Sequence, residues 1–410
     1  MKQYVIIGNG AAAVGCIEGI RSVDAKSKIT VISKEPHHVY SRPLISYYLE
    51  GKTDTERMKY RTADFYEKNG CQVLYGETAV KIDKDAKTVT TDKGTVTPYT
   101  SLCVATGSSP FVPPFEGLDM VEKKFSFMTL DDALALEQVI TKESRVLIVG
   151  AGLIGLKCAE GIAARVGSIT VCDLADRVLS SILDSECAAV IQDHLEENGI
   201  HFLLSDSAVK FEKNTAFMKS GKTVDFDVLV LAVGVRANTA LVKEAGGEVN
   251  RGILVGDSME TSIFSIYAAG DCTEGNDISL GARRVLAIMP NAYLQGQTAG
   301  VNMAGGKAVF DKAIPMNSIG FFGLHIMSAG TYDGEMTEEQ ENGSLKRFFV
   351  KDGLLKGFIL IGKTERAGIY TSLIREKTPL DTIDFESSKK LASNSIFSLE
   401  TRRKKFGGVV

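Results

Sequence analysis

Residues 4–13 read Tyr4-Val5-Ile6-Ile7-Gly8-Asn9-Gly10-Ala11-Ala12-Ala13, and this stretch decides the fold. Tyr4–Ile7 is a short apolar run with strand composition, and Gly8-Asn9-Gly10 breaks it. Ala11–Val23 then has helical composition, with Ala, Ile and Val along one side, and Lys28–Ser33 is a second, β-branched strand. Strand, glycine turn, helix and strand together make a βαβ unit. The unit recurs once: Arg145–Val149 is a strand, Gly150-Ala151-Gly152 a turn, Leu153–Arg165 a helix and Ser168–Cys172 a strand. Gly8 and Gly150 stand 142 positions apart (150 − 8).

Between the units lie hairpin-like strands (Gln72–Lys81, Thr88–Thr91, Gly94–Pro98) and the strand Ser101–Ala105. After the second come strands near His201–Leu204, Ala208–Phe211, Val228–Val233, Ile253–Val255 and Ile266–Ala269, then a helix from about Asn291 to Met303. Gly305-Gly306 reads as a linker. Beyond it, alternating apolar segments (Ser318–Gly323, Leu345–Val350, Leu354–Ile361) and a polar, helix-prone end predict a small α+β domain.

The 410 residues carry 47 Lys+Arg and 51 Asp+Glu, a net charge of −4, which gives no support for nucleic-acid binding. The longest unbroken apolar run, Val228–Val233, is far shorter than the roughly 20 residues of a membrane span. Val5–Val14 is apolar and Ala13-Val14-Gly15-Cys16 faintly resembles a lipoprotein cleavage box. Lys2 is the only basic residue before it and the glycines interrupt the run, so a signal peptide is not expected. Seven scattered cysteines (Cys16, Cys71, Cys103, Cys158, Cys172, Cys187, Cys272), none in CxxC, argue for reduced thiols in a cytoplasmic protein rather than a disulfide framework or a thiolate metal site. His37 and His38 lack a third ligand at suitable spacing and read as loop residues.

Gly8-x-Gly10-x-x-Ala13 has the spacing of a dinucleotide fingerprint. Gly8 permits the tight turn, Gly10 lets backbone approach a pyrophosphate, and the small Ala13 lets helix and strand pack. The helix N-terminus then offers N–H groups and a positive dipole end to the phosphates. Glu35, at the end of the second strand, is the candidate for holding ribose hydroxyls. Gly150-x-Gly152-x-x-Gly155 is a complete fingerprint, and Asp173 follows 23 residues after Gly150. A carboxylate there accepts from the 2′-hydroxyl of NAD and repels a 2′-phosphate, so NADH is favoured over NADPH despite Arg177 nearby. Two such units imply two nucleotides, one FAD and one NAD(H), and hydride chemistry.

Ala105-Thr106-Gly107 ends a strand before the second unit, and Ile266–Cys272 (IYAAGDC) ends one after it. With these the chain resembles the pyridine nucleotide–disulfide oxidoreductase superfamily over roughly Met1–Met303. The resemblance implies two Rossmann-like domains, the NAD domain inserted in the FAD domain: residues 1–108 and 235–305 for FAD, 109–234 for NAD, and a C-terminal interface domain at 306–410. It implies that Thr106 and Gly107 close the FAD domain, that Asp271 binds the ribityl chain, and that Gly234-Val235-Arg236-Ala237-Asn238 is the exit from the NAD domain, with Ala237 where Pro is usual. Tyr40-Ser41-Arg42-Pro43-Leu44 is similar to a stretch shared by NADH:rubredoxin reductases, oxygenase ferredoxin reductases, apoptosis-inducing-factor-like proteins and the flavin half of assimilatory nitrite reductase. It implies that Arg42 and Pro43 line the FAD site, Arg42 facing the pyrophosphate. It also aims the helix after Met289-Pro290-Asn291 at the flavin pyrimidine ring, where its positive end suits reduced flavin.

Disulfide-reducing relatives carry two cysteines in the segment after this stretch, and peroxide- or oxygen-reducing ones carry one. Ser41–Ser46 holds none, so thiol chemistry is disfavoured, and Cys272 reads as a packed thiol. Where several relatives place a Lys and a Glu that approach each other beside the flavin, this chain has Tyr47 and Lys157. Lys157 either sets a cation near the nicotinamide or flavin, or points away into solvent or pairs with Glu160.

The expected activity is transfer of hydride from NADH to FAD, then of electrons to a redox-protein acceptor: a rubredoxin, a ferredoxin or an iron–sulfur partner subunit, in a homodimer or a hetero-complex. Within a complex the flow could run toward NAD⁺. The rivals are an NADH oxidase and a slow-turnover redox-sensing flavoprotein. The basic run Arg402-Arg403-Lys404-Lys405 is a solvated tail or a docking patch for an acidic carrier.

Overall fold

A computed structural model describes residues 2–341, 343–390, 392–398, 400, 402 and 403. Lys404 and Lys405 of the basic run, and the Gly407-Gly408 that follows, lie outside the described residues. The chain forms two compact units, Met1–Gly275 with Met289–Phe310, and Asn276–Ile288 with Asp311–Val410. Residues 276–288, which the sequence reading assigns to the FAD domain, therefore group with the C-terminal unit. One cause is local: the Ile278 amide bonds to the Ala313 carbonyl at 3.0 Å.

The first unit holds two five-stranded parallel sheets of matching layout. One runs Ile266–Ala268, Ser101–Val104, Gln3–Ile7, Lys28–Ser33, Cys71–Tyr75. The other runs Lys124–Phe125, Val228–Leu231, Arg145–Val149, Ser168–Asp173, Ile200–Leu204. The central strands are continuous β-branched runs because both faces are covered: Ile6, Val31, Leu102, Leu147 and Val171 are fully buried. Before its return strand each half inserts a three-stranded antiparallel sheet, Ala79–Asp83 with Thr88–Thr91 and Val96–Pro98, and Ala208–Glu212 with Thr215–Met218 and Thr223–Asp225. The internal repeat thus extends beyond the βαβ units. The expected strand Gln72–Lys81 is two, Cys71–Tyr75 and Ala79–Asp83, because Gly76 takes φ +66° and breaks it.

The halves are joined by paired crossing strands, Ser108–Pro110 outward and Val235–Ala237 back. Asn238 stitches the crossing together: its amide bonds to the Gly107 carbonyl at 2.9 Å, its side chain to the Thr106 carbonyl at 2.9 Å, and Ser109 donates to its Oδ1 at 2.8 Å.

The fingerprint helix Ala11–Val23 packs against Met289–Met303 through glycines on both. A methyl on Gly15 or Gly19 would lie 2.1 or 2.3 Å from the carbonyl of Tyr293 or Gln297. On Gly296 or Gly300 it would lie 2.0 or 2.1 Å from that of Ala12 or Cys16. The backbones touch without intervening side chains. This contact fixes the start of the second helix relative to the first glycine turn.

The C-terminal unit is α+β as expected. Its antiparallel sheet runs Met316–Phe321, Leu324–Gly330, Leu354–Ile361, Ser344–Lys351, Glu335–Glu341. The helix Gly368–Arg375 belongs to the same core, where Tyr370 packs on Phe348 and Phe358.

Candidate active site

Gly8 takes φ +112°, and a methyl there would lie 2.1 Å from the Ala105 carbonyl. Only glycine turns the chain here. At Gly10, the residue before the helix, a methyl would meet nothing within 4 Å. The protein leaves open space in front of the first helical amides, while Ala13 is fully buried beneath them. The second turn repeats this: Gly150 has φ +117° and would meet Ala232, Gly152 faces open space, and Gly155 would meet the Gly150 carbonyl at 2.0 Å. Both are cradles that a methyl would fill and that suit a pyrophosphate.

Around the first cradle, Glu35 accepts from the Tyr40 hydroxyl at 2.6 Å and from Arg42. Arg42 also donates to the Met128 carbonyl at 3.0 Å, and Tyr40 accepts from the Leu130 amide at 2.8 Å. Arg42 therefore ties Glu35 to the stretch that follows the strand Lys124–Phe125 of the second sheet. Burial works against its charge, but Tyr40, Glu35 and Asp271 outweigh it and hold the guanidinium protonated. Burial raises the Asp271 carboxyl, with Arg42 and the Ser108 hydroxyl pulling the other way. Arg42 and Asp271 thus lie within reach of each other's charge, while Pro43 is exposed. Gly270 places Asp271 with φ +85°, its amide held by Gln295 at 2.8 Å. Asn291 lies fully buried in the first turn of Met289–Met303. Thr106 donates to the Asn238 carbonyl at 3.0 Å, and Gly107 has φ +62°. Gly234 has φ +112° and begins the return crossing.

In the second cradle Asp173 accepts from the Ala151 amide at 2.7 Å and the Ala175 amide at 2.8 Å. Each oxygen keeps further lone pairs for a ribose hydroxyl. Arg177 is turned to Asp176 at 2.7 Å and to the Leu183 carbonyl.

Where the halves meet, the helix Ile45–Leu49 lies on Leu153–Ala163, so close that a methyl on Gly161 would lie 3.0 Å from the Ser46 carbonyl. Tyr48 donates to Glu137 at 2.7 Å, and Arg165 bonds both Glu137 and the Leu49 carbonyl. Lys157 pairs with Glu160 and stands 4.5 Å from the Tyr47 ring centre. Lys157 thus does not point away into solvent: its side chain is 13% exposed, and the pairing with Glu160 leaves it beside Tyr47.

All seven cysteines are free and six are buried. Burial pushes the Cys272 thiol up to about 11, and it donates to the Val104 and Ala269 carbonyls. His37 pairs with Asp131 at 2.7 Å and His38 bonds the Val39 carbonyl, so the two go to different partners. Sequence reasoning missed Tyr40, Gln295 and Asn238 as organisers. The signal it passed over was glycine at i and i+4 in two helices, Gly15/Gly19 and Gly296/Gly300.

Two open dinucleotide cradles, each on its own parallel sheet and joined by a short seam, define a flavoprotein reductase of the two-Rossmann type. The chain belongs to the pyridine nucleotide-disulphide oxidoreductase family, which it matches over residues 2–296, and it matches the rubredoxin NAD⁺ reductase C-terminal domain over 315–378. The family uses FAD and NAD(H). The chain is 32% identical over 393 residues to the NADH-dependent phenylglyoxylate dehydrogenase subunit epsilon of Aromatoleum evansii, covering 92% of each. It is 33% identical over 368 residues to the Bacillus subtilis nitrite reductase [NAD(P)H], covering 88% of this chain but 44% of that protein. The reductase of the covalent putidaredoxin reductase–putidaredoxin complex shares the fold, with a TM-score of 0.87 at 23% identity over 96% of each chain.

Proposed function

We propose that this chain is an NADH:acceptor reductase that takes hydride from NADH and passes electrons singly to a small redox protein of the rubredoxin or ferredoxin type, or to an iron–sulfur partner subunit. The observation that carries this is the presence in one unit of two glycine cradles open to ligand, with no thiol in Ser41–Ser46 between them. The chemistry that FAD supplies when bound is acceptance of a hydride and release of single electrons. The chain's residues do the rest. The amides behind Gly10 and Gly152 bind the two pyrophosphates. Glu35 and Asp173 hold ribose hydroxyls, Asp173 with a charge that opposes a 2′-phosphate. Arg42 faces the FAD pyrophosphate and Asp271 binds the ribityl chain. The domain boundaries at 108/109 and 234/235 fall at the crossing strands, which supports the inserted arrangement. The match at 315–378 and the likeness to a named subunit favour a protein acceptor, in a homodimer or a hetero-complex, with flow toward NAD⁺ open to the latter. Free, buried thiols suit a reducing compartment, and we place the protein in the cytoplasm. Among the described residues no helix is long and apolar enough to cross a membrane.

The test is anaerobic reduction of the FAD-loaded protein by NADH, followed by mixing with rubredoxin, with ferredoxin or with oxygen. Fast reoxidation by an iron–sulfur protein and slow reoxidation by oxygen is the expected result. Equally fast turnover with oxygen alone would make the protein an oxidase. No turnover with any acceptor would make it a sensor.

A further inference from the structure

The two glycine turns can be compared residue by residue. Gly8 and Gly150 each donate their amide at 2.8 Å to the strand alongside, to the Ile32 and Cys172 carbonyls. The residues that follow on those strands, Ser33 and Asp173, therefore occupy the same place, as do Asn9 and Ala151 inside the turns. In the second half one carboxylate locks the turn to the loop after the strand: Asp173 accepts from the Ala151 amide at 2.7 Å and from the Ala175 amide at 2.8 Å. The first half is built differently. Ser33 donates to the Glu35 carbonyl at 2.7 Å, and the Glu35 carboxylate is taken by Tyr40 and Arg42. Among the described residues no carboxylate bonds an amide of Gly8-Asn9-Gly10.

Other groups make the connection here. The Asn9 side chain donates to the His37 carbonyl at 3.3 Å and accepts from the Tyr66 hydroxyl. Tyr66 stands on the short helix Phe65–Lys68, 57 positions along the chain from Asn9 (66 − 9), and is only 7% exposed. Its ring meets those of His38, Phe65 and Tyr75 edge-on, at 5.0, 5.3 and 6.4 Å between centroids. Burial pushes the phenol well above its ordinary value, so it stays a neutral donor. A packed aromatic cluster thus delivers one hydroxyl to the one polar side chain of the turn.

We infer that Tyr66 is a positioning residue for the flavin nucleotide: acting through Asn9, its hydroxyl holds the first glycine turn against the loop after Ser33. That loop carries Glu35, so one contact sets the amides behind Gly10, which take the pyrophosphate, relative to the carboxylate that takes the ribose. The inference rests on the proposed place of FAD in the first cradle.

The experiment measures release of FAD from the holoprotein, followed by the rise of free-flavin fluorescence after dilution. Tyr66→Phe removes the hydroxyl and keeps the ring, and release should quicken about three- to tenfold, one neutral hydrogen bond. Asn9→Ala puts into the first turn the residue that the second already has, and should quicken release by a similar factor. The double variant should be no faster than Asn9→Ala alone, because both changes break the same contact. At saturating FAD, NAD⁺ affinity by titration calorimetry, KM for NADH and kcat should stay at wild-type values, since Asp173 locks the second turn independently. Unchanged FAD release in Tyr66→Phe overturns the inference. Additive quickening in the double variant also overturns it, as does weakening of FAD and NAD⁺ together, since Tyr66 would then only support the fold. Wild-type protein that holds no FAD would instead sink the proposed function.

Discussion

Replacing Gly10 with alanine separates what the fold needs from what the cofactor needs. A methyl at Gly10 meets no protein atom within 4 Å, and the backbone there, φ −106° and ψ −164°, is open to any L-residue. The cost to the fold is a poorer helix cap, about 0.5–1 kcal/mol, which lowers Tm by no more than ~4 °C in a unit of this size. The cost to FAD is larger. The methyl fills the volume through which a pyrophosphate reaches the helical amides, and one lost charge-assisted hydrogen bond is about 1.5–3 kcal/mol, roughly 10- to 150-fold in Kd. The assay is FAD content on purification, apoprotein Tm by scanning fluorimetry, and FAD titration. Gly152→Ala is the partner experiment: it should keep FAD and weaken NADH by a similar factor. The reasoning is refuted if Gly10→Ala retains FAD with wild-type affinity, or if its apoprotein melts ten degrees lower.

Four further outcomes follow. Gly300→Ala should lower Tm by several degrees and loosen FAD, since its methyl would lie 2.1 Å from the Cys16 carbonyl and overpacking costs about 1–3 kcal/mol; scanning calorimetry with flavin content checks it. Asp173→Ala should narrow the preference for NADH over NADPH in stopped-flow flavin bleaching, and equal rates in the wild type would remove Asp173 from its role. Stoichiometric alkylation should leave activity intact, because burial pushes even the least buried thiol, Cys71, up to about 11; inactivation with flavin still bound would reveal a redox cysteine. Burial favours protonation of Glu18, but its bonds to Arg61 and Tyr293 outweigh this and hold its carboxyl below the usual range. Their stabilisation is present above the unfolded carboxylate pKa and fades as pH falls through the lower folded value, so Glu18→Gln should flatten the acid limb of Tm against pH.

The glycine fingerprints, the β-branched strands and the carboxylates after them were readable because each depends on neighbours along the chain. A tight turn, a helix start and a carboxylate after the next strand fall at fixed spacings, so Gly8–Ala13, Gly150–Gly155 and Asp173 announce themselves. Lys28–Ser33 and Arg145–Val149 match their predicted bounds for the same reason. The tertiary structure alone decided what depends on distant partners. Arg42 turns to Glu35 and Met128, Gln295 reaches Gly270 across the fold, and residues 276–288 join the C-terminal unit. The second three-stranded insertion leaves only a faint pattern, since short strands half-exposed on one face carry little periodicity. Whether Lys157 served the cofactor or Glu160 was undecidable from spacing, because Glu160 lies one helical turn away and Tyr47 is 110 residues back (157 − 47). Only the packing of two helices from different halves puts ammonium, carboxylate and phenol in one place.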